Sequence, residues 1–180
     1  MAAIRKASAY SKRNVTPFTR VSKKRARSYI KVKPPQKIVK FEMGNKNLLK
    51  NKKLPYKLTI ISVENVQIRH NALEACRQFI NKKLMKETSG QYSFQVIPFP
   101  HQIQRENKML TGAGADRMQT GMAHSFGKAI GKAAVLNKGS KIFFIAVQTP
   151  KAEALARKTI KQVKSKLPGK IQILSEVIKY

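Results

Sequence analysis

Apolar and polar positions alternate along this chain in two distinct periods. Leu58–Val63 is a compact apolar run that predicts a strand. Over residues 69–86, Leu73, Cys76, Ile80 and Leu84 recur at spacings of three and four, which predicts a helix with one buried face. Gly90 closes that unit, and Tyr92, Phe94 and Val96 then alternate with Ser93 and Gln95, the period of a half-buried strand.

The same plan returns towards the C-terminus. Ile142–Val147 fits a central strand. Thr149-Pro150 supplies a capping hydroxyl and a first-turn proline, both good for starting a helix. Ala152, Ala156, Ile160, Val163 and Leu167 form one apolar stripe, with Arg157, Lys158, Lys161 and Lys164 away from it. Pro168-Gly169 stops the helix, and Ile171 and Ile173 begin an edge strand. Two strand–helix–strand units flanking one sheet predict an α+β protein built as a two-layer sandwich, over residues 38–180. Each helix then turns a basic face outward, which suits RNA and suits solvated lysines equally.

Two stretches break the pattern. Residues 98–122 begin with two prolines, are spaced by glycines and hold no sustained period. Loops beyond about 12–15 residues without regular structure are usually functional or disordered. After this loop, Phe126-Gly127-Lys128-Ala129-Ile130-Gly131-Lys132 fits helix or strand, and its Gly-Lys steps set backbone amides beside cations, a combination that suits phosphate. Asn137-Lys138-Gly139 reads as a tight turn into the Ile142 strand.

The other stretch is residues 1–37. Arg20, Lys23 and Arg25 are among its many cations, Tyr10, Phe18 and Tyr29 are interleaved, and the first acid is Glu42. Such a segment cannot bury enough apolar area to fold alone. Its cations neutralise phosphates and its aromatics stack on bases, so an RNA-embedded arm is favoured over a tail merely packed on the domain.

Charge changes the picture most. The chain of 180 residues has 38 Lys+Arg against 8 Asp+Glu, a net of +30. A small domain is comfortable at roughly 2–8 in magnitude. An excess this large repels itself unless a polyanion neutralises it, and nucleic acid is the densest common one. The hydrophobic share of 42% still suffices for a core.

Other chemistries fit poorly. Cys76 is the only cysteine, so a disulfide or cysteine-rich zinc site within the chain is ruled out. The thiol sits in an apolar helical register, as a packed residue would, and a reducing intracellular compartment fits. No run approaches the ~20 apolar residues needed to cross a bilayer, and the N-terminal stretch has no apolar signal-peptide core. Pro17, Pro34 and Pro35 argue against a helical transit peptide. Gly112-Ala113-Gly114 is no dinucleotide fingerprint, because Arg117 stands at the third glycine position and a polar stretch precedes it. A Walker lysine with a following Ser or Thr is absent. Glu106 and Asp116 each adjoin an arginine, so salt bridging is the plainer account than acid–base catalysis. His70, His101 and His124 lack zinc-ligand spacing. No enzyme, cofactor, metal, small-molecule substrate or membrane partner is expected. A free-standing nucleic-acid-coating protein shares the charge but leaves the glycine-spaced loop unexplained. An RNA-modifying enzyme would need a cofactor pocket or an acid/base pair.

Several segments together carry a family resemblance. They are Pro17-Phe18-Thr19-Arg20, Lys37-Ile38-Val39-Lys40-Phe41-Glu42-Met43-Gly44-Asn45, and Gln67-Ile68-Arg69-His70-Asn71-Ala72-Leu73-Glu74-Ala75-Cys76-Arg77. The most specific are Arg105-Glu106-Asn107-Lys108 and Gly112-Ala113-Gly114-Ala115-Asp116-Arg117, followed by Ser125-Phe126-Gly127-Lys128. Over about residues 10–175 the chain resembles the archaeal and eukaryotic large-subunit ribosomal protein "L ten e", counterpart of bacterial "L sixteen". It departs at Ala9-Tyr10-Ser11, where Cys-Tyr-Arg is common, at the extra Lys23-Lys24-Arg25-Ala26-Arg27, and at Gln102, where a second histidine often follows.

The resemblance implies a cytoplasmic ribosomal protein docked on large-subunit rRNA beside neighbouring ribosomal proteins. It implies a loop pointing to the tRNA acceptor arm near the peptidyl transferase centre. The expected loop contacts are His101, Arg105, Asn107, Lys108, Gly112, Gly114 and Arg117. The expected rRNA contacts are Arg20, Lys23, Arg25, Arg69, His70, Lys128 and Lys132.

Overall fold

The fold is taken from a computed structural model, in which residues 33–106 and 128–178 are described. The expectations for residues 1–32 and 107–127 therefore lie outside the described residues. Along the chain run β1 (Glu42–Gly44), α1 (Lys46–Lys50), β2 (Tyr56–Ser62), β3 (Val66–Arg69), α2 (His70–Thr88), β4 (Tyr92–Val96), β5 (Gln102–Glu106), β6 (Lys128–Leu136), β7 (Lys141–Val147), α3 (Pro150–Val163) and β8 (Ile171–Val177). The fold is α+β.

Among the described residues there are two antiparallel sheets where the sequence led us to expect one. The larger has the order β1-β4-β7-β2-β8. Its registers align Tyr92, Val147 and Tyr56 in one row, Phe94, Ile145 and Leu58 in the next, and Val96, Phe143 and Ile60 in a third. Successive residues of a strand point to opposite faces, so these rows make one apolar face. All nine residues belong to or pack on the main core, with Leu73, Cys76, Ile80 and Leu84 of α2 and Ala152, Ala156, Ile160 and Val163 of α3. The two helices therefore cover this face, and they pack against each other.

Local signals explain the helix ends. The Thr149 hydroxyl accepts from the Ala152 N–H at 3.3 Å, and Pro150 opens α3 where its missing N–H costs nothing. Ser89 ends α2 in the left-handed region at φ 45°. Edge strand β8 begins at the expected place.

The second sheet has the order β3-β6-β5. Val66, Ile68, Ala134 and Leu136 turn one of its faces into the shared core. The register puts Gln67, Gln102 and Gln104 on the opposite face, beside Val135, Ala133 and Gly131 of the central strand. This sheet corrects the reading of 98–122 as one irregular loop, because Gln102–Glu106 is a strand. Glutamines hold the buried positions on one of its faces, so its only apolar marker is the single buried Ile103. The ambiguous stretch after the loop is also strand from Lys128 onward. At Asn137–Ser140 the Ser140 N–H donates to the Asn137 carbonyl at 3.0 Å, and the chain passes from the small sheet into β7 of the large one.

Candidate nucleic-acid interface

The helix layer presents the first cationic surface. Burying the apolar stripe of each helix leaves Lys82, Lys83 and Lys86 of α2 exposed, with Lys151, Lys158 and Lys161 of α3 and Lys164 just beyond it. A hollow of about 370 Å³ runs along α3, lined by Pro150, Glu153, Ala154, Arg157, Lys158 and Lys161. Its one carboxylate, Glu153, accepts from Arg157 at 3.0 Å, so it offers no acid–base pair.

The second feature is the stem under the expected RNA-binding loop. β5 and β6 are antiparallel neighbours, and Glu106 pairs with Lys128 in their register. Residues 107–127 thus leave and re-enter the fold at adjacent positions of one sheet. Arg105 and Lys128 are placed by their backbones at this end, Arg105 opposite Ala129 just past a bulge. Bulges commonly occur where a strand ends or a side chain is re-aimed. Asn107, Lys108, Gly112, Gly114 and Arg117 lie outside the described residues, as do Arg20, Lys23 and Arg25.

Three expected rRNA contacts gather at a third point, where residues 33–38 cross the small sheet. Arg69 is half-buried immediately before α2. His70 is buried, and its Nδ1 accepts from the Lys37 N–H at 3.3 Å. A Cβ at Gly131 would stand 3.1 Å from His70 Nε2, so the glycine makes room for the ring. Lys132 Nζ donates to Gln36 Oε1 at 3.4 Å. Burial, aided by the positive charges of Lys37, Arg69 and Lys132, holds the His70 pKa below its ordinary value. The imidazole is accordingly neutral and buried, with its Nδ1 turned to the Lys37 N–H. Gly131 uses its small size to seat that ring.

His101 is exposed, and its ring lies 4.6 Å from that of Phe99. The sequence pattern did not reveal the stack of Phe99 on Phe41, the Lys37–His70 contact or the buried glutamines. The Gln-Ile-Gln alternation at 102–104 is the one local signal that could have marked β5.

Among the described residues, no group of three His, Cys, Asp or Glu comes together to hold a metal ion. No described helix is long and apolar enough to cross a membrane. Burial pushes the Cys76 thiol up to about 12, so it is not a nucleophile.

An α+β body with lysine-covered helices and a cationic strand pair supporting a long insertion defines a basic, nucleic-acid-binding class of protein. Residues 16–174 match the family described as "Ribosomal protein L16p/L10e", and the chain belongs to that family. It is 37% identical over 174 residues to the large ribosomal subunit protein uL16 of Methanococcus aeolicus, covering 96% of this chain and 94% of the relative. It is 38% identical to that of Staphylothermus marinus, with 98% and 95% covered, and 44% identical to that of Sulfolobus acidocaldarius, with 82% of each covered.

Proposed function

We propose that this chain is embedded in large-subunit rRNA and holds its 107–127 segment towards the acceptor arm of tRNA near the peptidyl transferase centre. As a member of its family it is a structural ribosomal protein and not an enzyme. The finer architecture in this reading is a two-layer body carrying a basic loop and a basic N-terminal arm, housed in cytoplasmic ribosomes beside other ribosomal proteins.

The supporting observation is the pairing of Glu106 with Lys128. An insertion with both ends on one rigid sheet can be presented as a projection, while the basic body anchors elsewhere. Binding is driven by neutralising phosphates and releasing their counterions, and recognition rests on RNA shape more than base sequence. Arg105, Asn107, Lys108 and Arg117 act from the loop, with Gly112 and Gly114 allowing close approach of backbone to phosphate. Lys128 and Lys132 act from the stem, and Arg20, Lys23 and Arg25 from the arm. Peptide-bond chemistry belongs to RNA.

The test is the double variant Arg105→Ala, Lys108→Ala, assembled into large subunits. The expected result is normal co-sedimentation with the subunit in high salt and weakened tRNA binding. A variant that failed to join the subunit would make the loop an anchor and overturn the assignment.

A further inference from the structure

Phe99 is 46% exposed, yet its position is fixed. The prolines on either side of it, Pro98 and Pro100, are buried and hold their own φ angles. The Ile97 N–H donates to the Ile142 carbonyl of β7 at 3.1 Å, and the His101 N–H donates back to the Phe99 carbonyl at 3.0 Å, closing a three-residue turn. The Phe99 ring lies on that of Phe41, with centroids 5.5 Å apart and planes 28° from parallel. Phe41 in turn packs on the main core, and its carbonyl accepts from Val96 N–H at 2.8 Å. The His101 ring lies beside it, with centroids 4.6 Å apart and planes tilted by 52°.

Phe99 is thus a large apolar ring, half open to solvent, whose position is set by its own fold. We propose that Phe99 is the stacking platform for one unpaired RNA base, with His101 as a tilted flanking ring. This rests on the rRNA-binding reading above and adds a base-contacting site to it. A nucleobase is flat and offers a π-face whatever its identity, so a preset Phe99 ring receives it at little entropic cost. The neighbouring chain suits its phosphates: Lys37 and Lys40 are exposed, and the adjacent carboxylate, Glu42, is paired with Lys46 at 2.7 Å. That charge favours RNA over the apolar side chain of a neighbouring protein.

The full chain is titrated at fixed salt with a short oligoadenylate carrying 2-aminopurine and with a base-free oligomer of equal phosphate number. The parent chain is expected to quench the fluorophore and to prefer the base-bearing oligomer about tenfold. Phe99→Leu, which keeps apolar packing on Phe41 but has no π-face, is expected to lose most of the preference. Phe99→Trp should keep it, and the dependence on salt should be the same in all three. Thermal melting of each variant separates lost stacking from lost folding. If Phe99→Leu is folded and retains both quenching and preference, the proposal is overturned. It is equally overturned if the variant keeps its preference while a neighbouring protein is lost from assembled subunits, which would make this face a protein contact. Co-sedimentation of the parent chain with large subunits reports separately on the ribosomal reading.

Discussion

Gln104 Nε2 donates to Gln67 Oε1 at 2.7 Å, joining the two outer strands of the small sheet across its central strand. Both side chains are about 1% exposed. On this face of β6 the residue between the positions paired with Gln67 and Gln104 is a small one, Ala133. The remaining Gln67 Nε2 and Gln104 Oε1 have no hydrogen-bond partner among the described residues. A buried amide that loses its only partner keeps its full desolvation cost, about 1–3 kcal/mol.

Gln67→Leu and Gln104→Leu should therefore each destabilise the protein by about 1–3 kcal/mol in urea unfolding. The double variant should be less destabilised than the sum of the two, because it leaves neither amide stranded. Additive losses would show that the two side chains do not act as a pair.

This bridge also explains which parts of the fold were legible in the sequence. α2, α3, β2, β4, β7 and β8 announce themselves because one periodic face is apolar and is buried against the shared core. β3 and β5 do not, since the residues buried on one of their faces are glutamines whose partners lie 37 positions away in sequence. The fixed Phe99 ring was hidden for a related reason. Its neighbours along the chain are prolines, and its support, Phe41, comes from another strand region. The basic outer faces of the helices were legible from the charge pattern alone. The neutral role of His70 was not, because it depends on Gly131 and on a backbone N–H from residue 37.

Gly44 should prove irreplaceable in a way Gly90 does not. Both have positive φ, 80° and 85°. A Cβ at Gly44 would collide with the Tyr92 carbonyl oxygen, the same atom that accepts the Asn45 N–H at 2.8 Å, whereas a Cβ at Gly90 meets nothing within 4 Å. Gly90→Ala should cost about 1 kcal/mol from backbone conformation, and Gly44→Ala distinctly more. Equal urea midpoints for the two variants would mean that β1 moves away from β4 without penalty.

Cys76 should be silent to thiol reagents in the folded protein. It is fully buried in α2 against the sheet, and burial keeps its thiol protonated. Ellman's reagent should react slowly in buffer and quickly in denaturing urea. Rapid stoichiometric labelling of folded protein would place this helix face in contact with solvent. Cys76→Ser should destabilise by about 1–3 kcal/mol, since the hydroxyl has no polar partner provided for it in an apolar register.

Stability should fall as pH drops below the ordinary histidine value of 6.5, and His70 should be a cause. Desolvation lowers its folded pKa, and Lys37, Arg69 and Lys132 press in the same direction. Above pH 6.5 both folded and unfolded states hold a neutral ring, so the contribution is complete. Below it the unfolded chain takes up a proton that the folded one resists, and stability declines until the folded pKa is reached. Protonation also removes the Nδ1 lone pair that accepts the Lys37 N–H, loosening residues 33–38 from the small sheet. Urea unfolding at pH 7.5 and at pH 5 should show this loss in the parent chain, and His70→Gln should show a smaller one. An identical loss in both would assign the pH dependence to other groups and leave His70 as a packing residue only.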